Sequence, residues 1–123
     1  MKTPTEFVEE WMKTVCTNNV ESIVSLYKKD AVLLGTLDGK IRKGRGEIKG
    51  YFDFFVKLKP CGKITEIVEE DFGYGRMAVA NGAYDFDLVA NGKKTAAPAR
   101  FTFVLERVGT EWMIQSHHSS KEP

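Results

Sequence analysis

Two histidines stand side by side near the C-terminus, His117 and His118, and they are the whole histidine complement of the chain. Imidazole is the side chain whose charge changes near neutral pH, which suits it to proton transfer and to metal ligation. A catalytic zinc centre takes three protein ligands from His, Cys or carboxylate and lowers the pKa of its bound water to about 7. Adjacent residues of a strand point to opposite faces, so at most one of His117 and His118 enters a given pocket. Cys16 and Cys61 lack the short spacing of metal-binding thiols. Each reads as a small reduced filler rather than half of a disulfide, and a reducing compartment is then the default. A His-rich zinc site therefore cannot be assembled from one chain. A carboxylate site for a divalent cation is the alternative. The densest acidic group, Glu69-Glu70-Asp71, falls at a strand end, where a solvated role is the simpler one.

Whatever chemistry is present must be positioned by one domain, spanning residues 1–123. The 18 basic and 17 acidic residues leave a net charge of +1, without the basic excess that nucleic-acid binding requires. No apolar run approaches the ~20 residues of a membrane span. No charged start followed by an apolar stretch reads as a signal peptide. The expected location is the cytoplasm, or an organelle such as a plastid if a targeting segment was removed.

Thr3-Pro4-Thr5-Glu6 is a helix start, with Thr at the N-cap, Pro at the first helical position and Glu closing a capping box. Phe7, Val8, Trp11, Met12 and Val15 follow at helical spacing. Asn18 and Asn19 end that helix and cap a second, in which Val20, Ile23, Val24 and Tyr27 carry the period to about Lys29. A short strand, Ala31 to Leu34, leads to an Asp38-Gly39 hairpin turn and a return strand within Ile41 to Arg45. Gly46-Glu47 opens a third helix with Ile48, Tyr51, Phe52 and Phe55 on one face, stopped by Pro60-Cys61-Gly62. Four strands follow, Lys63 to Phe72, Met77 to Leu88, Ala99 to Glu106 and Trp112 to Ser120, with Asn91-Gly92 the strongest hairpin signal.

This order predicts an α+β fold in which N-terminal helices pack on the concave face of a curved antiparallel sheet. Several late strands carry apolar residues on both parities. That predicts a homodimer or higher homo-oligomer through the outer face of the sheet, with a locally two-sided core as the alternative.

The whole pattern resembles the nuclear transport factor 2-like superfamily, a conical barrel shared with cystatin-like and SnoaL-like proteins. The segments Asp30-Ala31-Val32-Leu33-Leu34-Gly35-Thr36, Ile48-Lys49-Gly50-Tyr51-Phe52, Leu58 to Ile64, Ala99 to Val104 and His117-His118-Ser119-Ser120 occur in register. Together they are similar to the group related to the calcium/calmodulin-dependent kinase II association domain. Within it, His-His-Ser-Ser is similar to the signature of iota-class carbonic anhydrases. Where that group commonly follows its serines with a small residue, Met and Pro, this chain has Lys121-Glu122-Pro123.

The resemblance implies reversible hydration of carbon dioxide to bicarbonate, in a class reported both with manganese and without metal. The histidine count favours the metal-free form, with no cofactor. Residue matching then nominates Thr36, Tyr51, one serine and one histidine of the final run as catalytic. Trp112 and Ile114 look core-facing, and Ser116, His118 and Ser120 share their parity, so His118 and Ser120 are expected inward. A bulge near Ser116 would exchange them for His117 and Ser119. His118 would be the proton acceptor, and Leu34, Phe52 or Phe55 the apolar wall. Arg100, for a bicarbonate oxygen or an interface ion pair, and Tyr84, a core residue on the simplest view, are second-line binding candidates with Phe55, His117 and Ser119. Tyr51, Thr36 and His118 each also have a purely structural alternative: core aromatic, turn cap and satisfied core histidine. Two other functions compete. One is a non-catalytic oligomerisation module with a small-anion or small-molecule pocket. The other is a cyclase or isomerase, which wants an inward carboxylate, for which only Asp85 and Asp87 are candidates.

Overall fold

The computed structural model describes residues 1–123. Helix α1 (Pro4–Cys16) begins as its sequence dictates. The Thr3 hydroxyl accepts from the Glu6 amide at 3.1 Å, and the Glu6 carboxylate accepts from the Thr3 amide at 2.9 Å. A cap of this kind stabilises a helix by about 1 kcal/mol. The stripe from Phe7 to Val15 is buried, and each large side chain contributes roughly 1.5–3 kcal/mol on leaving water. Asn18, in the left-handed conformation at φ 58, turns the chain out of α1. Asn19 caps α2 (Val20–Val24) by accepting from the Ser22 amide at 3.0 Å.

The second helix stops earlier than its periodicity predicts. Tyr27 opens strand β1 (Tyr27–Leu34) rather than closing the helix. The Leu26 carbonyl accepts from the Ile114 amide at 2.9 Å, and Tyr27 is fully buried. Sheet bonding and tertiary burial outweigh a helical period that Ile23, Val24 and Tyr27 satisfy by spacing alone.

Strand β2 (Ile41–Lys43) returns antiparallel to β1. Helix α3 (Gly44–Phe55) and a 3-10 turn (Val56–Leu58) follow. The meander is β3 (Cys61–Phe72), β4 (Met77–Ala90), β5 (Lys93–Val108) and β6 (Glu111–Lys121). One six-stranded sheet results, ordered β2-β1-β6-β5-β4-β3, with β1 parallel to β6 and its other pairs antiparallel. The sheet is curved and unclosed. Helix α1 lies against β3 and β4, and α3 against β1. This is the α+β conical architecture expected, with the helices on the concave face.

One irregularity decides which residues face inward. Between β5 and β6, Val104 pairs with Ser116 and Leu105 with Ile114, which leaves Gln115 without a partner. The bulge is held from outside. Lys28 Nζ donates to the Gln115 side-chain oxygen and to Glu106, both at 2.8 Å. A bulge exchanges the faces of every residue beyond it. Trp112 and Ile114 are buried, and after the bulge the buried set is His117 and Ser119.

A second correction concerns the cysteines. Cys16 and Cys61 form a disulfide with a Cα–Cα separation of 4.3 Å, tying the end of α1 to the start of β3. Asn18 brings these ends together by donating from Nδ2 to the carbonyls of Val15 at 2.9 Å and Pro60 at 3.0 Å. The two thiols are not reduced fillers, and the argument from them for a reducing compartment falls.

Candidate functional site

The concave face and the helices enclose a cavity of about 260 Å³. Its walls are Trp11, Leu33, Phe52, Phe55 and Phe86; no carboxylate lines it, and Lys121 is its one charged residue. The volume lies just below the roughly 300–1,000 Å³ usual for small-molecule sites.

At one end of this apolar space a chain of polar groups converges. Thr36, just past β1, and Ser119, on β6, place their hydroxyl oxygens 2.6 Å apart. The Tyr84 hydroxyl on β4 donates to Ser119 Oγ at 2.6 Å. The same phenol oxygen lies 3.2 Å from His117 Nε2. On the other edge of that imidazole, Nδ1 is 2.9 Å from the Tyr27 hydroxyl. Trp11 Nε1 donates to the Tyr27 oxygen at 3.2 Å. Four elements, α1, β1, β4 and β6, and the turn after β1 thus contribute to one continuous path from the indole to the cavity. The His117 ring is clamped by Phe103, stacked at 3.9 Å between centroids, and by the edge contact of Trp11 at 5.2 Å.

Burial sets the charge state of this path. His117 is 2% exposed, and burial, aided by neighbouring His118, pulls its pKa down to about 3. At neutral pH it is an uncharged ring with both nitrogens occupied. Burial raises the Tyr27 and Tyr84 phenols well above their ordinary value, and in Tyr84 the bond to Ser119 acts weakly in the opposite direction. Both remain protonated donors.

Tyr51 approaches from α3. Burial pushes its phenol up to about 12, against the smaller downward pull of the Leu37 backbone. Its ring lies over Gly35. A Cβ built on Gly35 would meet the Tyr51 ring carbons inside van der Waals contact and the hydroxyl oxygen at 2.9 Å. Glycine is therefore required for β1 to deliver Thr36 beside this ring. The hairpin carrying Thr36 is braced by Arg42, which donates to Asp38 at 2.7 Å and to the Glu47 carbonyl of α3 at 3.2 Å.

Thr36, Tyr51, Phe55, Tyr84, His117 and Ser119 meet around the cavity. His118 and Ser120 do not line it, because the Gln115 bulge turns them outward; His118 is exposed and Ser120 half-buried. Arg100 is exposed on the outer face, in register with Ser120 and Ala83. The wall residue of β1 is Leu33 rather than Leu34. Asp85 and Asp87 are exposed, as are Glu69, Glu70 and Asp71. Two site residues were not singled out in the sequence. Trp11 merges with an ordinary apolar stripe, and Tyr27 hides in the helical period of α2.

The donors present do not fit a manganese ion. Manganese prefers carboxylate, carbonyl and water oxygens, and no group of three or more His, Cys, Asp or Glu side chains could hold an ion. What the arrangement offers is hydroxyl hydrogen bonding in a site walled mostly by apolar side chains.

Comparisons with known proteins bear on the family and the fold. Residues 3–123 match the family described as calcium/calmodulin dependent protein kinase II association domain. A search of curated proteins finds no match. A crystal structure from Xanthomonas campestris bearing the same family description is 36% identical, with a TM-score of 0.92, covering 97% of this chain and 85% of that one. The CamKII hub homology domain of Chlamydomonas reinhardtii is 17% identical with a TM-score of 0.80, each chain covered over 100% of its length. A structure from Novosphingobium aromaticivorans described as a scytalone dehydratase is 9% identical with a TM-score of 0.85, covering 97% of this chain and 81% of that one. The last two show the fold alone. With the family matched over residues 3–123 and a relative at 36% identity, the chain belongs to the calcium/calmodulin dependent protein kinase II association domain family.

Proposed function

We propose that this domain hydrates carbon dioxide reversibly to bicarbonate, without a bound metal, at the end of the cavity where Thr36, Ser119 and Tyr51 meet. The observation that carries the reading is the 2.6 Å pairing of the Thr36 and Ser119 hydroxyls at one end of an apolar space that Tyr51 also lines and no carboxylate enters. Carbon dioxide rests against Leu33, Phe52 and Phe55. A water held by the hydroxyls attacks its carbon; the new C–O bond forms as one C=O pair moves onto oxygen. Hydroxyl donors in a low-dielectric site stabilise that developing charge. One proton must leave the attacking water. No cavity group takes it at neutral pH, since His117 sits at about 3 and Tyr51 at about 12. The proton leaves through the mouth to a solvent base. His118, facing outward, has no part in this scheme.

Stopped-flow hydration of carbon dioxide by chelator-treated protein tests it. The expected result is a rate above the uncatalysed one that rises with buffer concentration at fixed pH. A rate equal to buffer alone removes the activity, and a rate restored only by manganese removes the metal-free part.

One observation favours a second reading. The cavity, at about 260 Å³, is much larger than carbon dioxide needs. A non-catalytic association module with a small-molecule pocket accounts for that size, with assembly through the outer face, where Val68, Phe72 and Val108 are exposed. Light scattering showing a homo-oligomer, together with no hydration activity, would select this reading. A cyclase or isomerase finds no support, because Asp85 and Asp87 lie outside the cavity.

A further inference from the structure

The polar path has a direction, and the direction follows from its innermost member. An indole N–H donates and cannot accept. Trp11 Nε1 donates to the Tyr27 oxygen, so the single Tyr27 hydrogen must serve the only other partner, His117 Nδ1 at 2.9 Å. In the opposite arrangement, Nδ1–H would donate to Tyr27, and the Tyr27 hydrogen would have no acceptor on a residue with no exposed surface. Buried donors are left unpaired only rarely. His117 therefore accepts at Nδ1 and carries its proton on Nε2, which donates to the Tyr84 oxygen. Tyr84 then spends its hydrogen on Ser119. Ser119 and Thr36 share two hydrogens across one 2.6 Å contact. One hydrogen bridges them, and the other is left to point into the cavity.

From this count we infer that Tyr27 is a positioning residue that fixes the His117 tautomer through Trp11, and that the cavity consequently presents a hydroxyl donor to a ligand whose deep end is a hydrogen-bond acceptor on a compact apolar body, a carbonyl compound being the simplest case. The inference rests on the cavity being a ligand site, as in the reading above, but not on carbon dioxide being the ligand. The apolar walls suit the body, and the hydroxyl pair suits the carbonyl oxygen. A ligand that can only donate finds its deep end facing a donor.

Long-range proton–nitrogen NMR of the histidine rings in the full chain tests the tautomer, with His118→Gln assigning the two rings. The expected result is a neutral His117 with Nε2 protonated from pH 5.5 to 8.5. Protonation on Nδ1 overturns the inference. In Tyr27→Phe, which keeps the ring and removes the hydroxyl, an Nδ1–H population should emerge; an unchanged tautomer removes the role given to Tyr27. If that variant does not fold, the wild-type spectrum alone still decides the direction. The ligand class is read by titrating wild-type protein with cyclopentanone and with methylenecyclopentane, following the Thr36 and Ser119 amides. One acceptor bond implies about fivefold tighter binding of the ketone. Equal affinities, or binding of neither, overturn the ligand class. Absent hydration with ketone preference intact would sink the enzymatic reading and leave this one standing.

Discussion

Replacing Gly35 with alanine perturbs the site at its tightest point. The added methyl would lie inside van der Waals contact with the Tyr51 ring and 2.9 Å from its hydroxyl oxygen, where carbon contacts normally sit at about 3.5–4.0 Å. Either the ring or the β1 end must move by about 1 Å. Forcing a methyl into a packed interior typically destabilises by about 1–3 kcal/mol. For a domain of this size that lowers Tm by about 3–15 °C. A shift of about 1 Å in a positioning group lowers a catalysed rate about 100-fold. Thermal unfolding followed by circular dichroism and stopped-flow hydration read both effects. The same substitution in a Tyr51→Ala background separates this clash from any other. There the methyl meets no ring, and most of the destabilisation should vanish, a coupling of the size contacting residues show. A Gly35→Ala protein that melts within 1 °C of wild type, or one destabilised equally in both backgrounds, would refute the close-approach argument.

Three further outcomes are expected. Because His117 titrates at about 3 when folded and about 6.5 when unfolded, the unfolded chain binds the extra proton between those values. Stability should therefore be complete above pH 6.5 and fall as pH drops, by roughly 1.4 kcal/mol per unit at most, with the window from 6.5 to 4.5 least mixed with carboxylate titration; urea unfolding should lose that slope in His117→Asn. Opening the Cys16–Cys61 disulfide, which closes a separation of 45 residues, should destabilise by roughly 4 kcal/mol on the loop-entropy relation. Unfolding with and without reductant checks this, and unchanged stability would mean the unfolded chain gains nothing from release. Finally, His118→Ala should leave hydration within about twofold of wild type, since its side chain is outside the cavity, and a tenfold loss would restore it to the mechanism.

Where residues obey one local rule, the sequence reveals the fold. The capping box at Thr3, the stripe of α1, the Asn91-Gly92 turn and the alternation of Phe101, Phe103 and Leu105 each stand in the structure as their chemistry requires. The errors arise where two rules compete or where distance matters. Tyr27 fits a helical period with Ile23 and Val24, yet it heads a strand because Trp11 and His117 claim its hydroxyl from elsewhere in the chain. The inward pair on β6 is reversed by one unpaired residue, Gln115, whose bulge is held by Lys28 on a different strand. No pattern within β6 encodes that contact. Cys16 and Cys61 carry no spacing signal because their meeting depends on the turn at Asn18 and its bond to Pro60. The site was thus legible as residue types, Thr36, Tyr51, a serine and a histidine. Which serine and which histidine was a question of register.

That register also offers the most direct test of the account. Oxygen-18 exchange between carbon dioxide and water, followed by mass spectrometry on chelator-treated protein, can compare Ser119→Ala with Ser120→Ala, neighbours that differ in which face they occupy. The account expects exchange to fall at least about tenfold in Ser119→Ala, as for loss of one donor to a developing oxyanion, and to persist in Ser120→Ala. Equal loss in both, loss confined to Ser120→Ala, or no exchange above background in the wild type would contradict it.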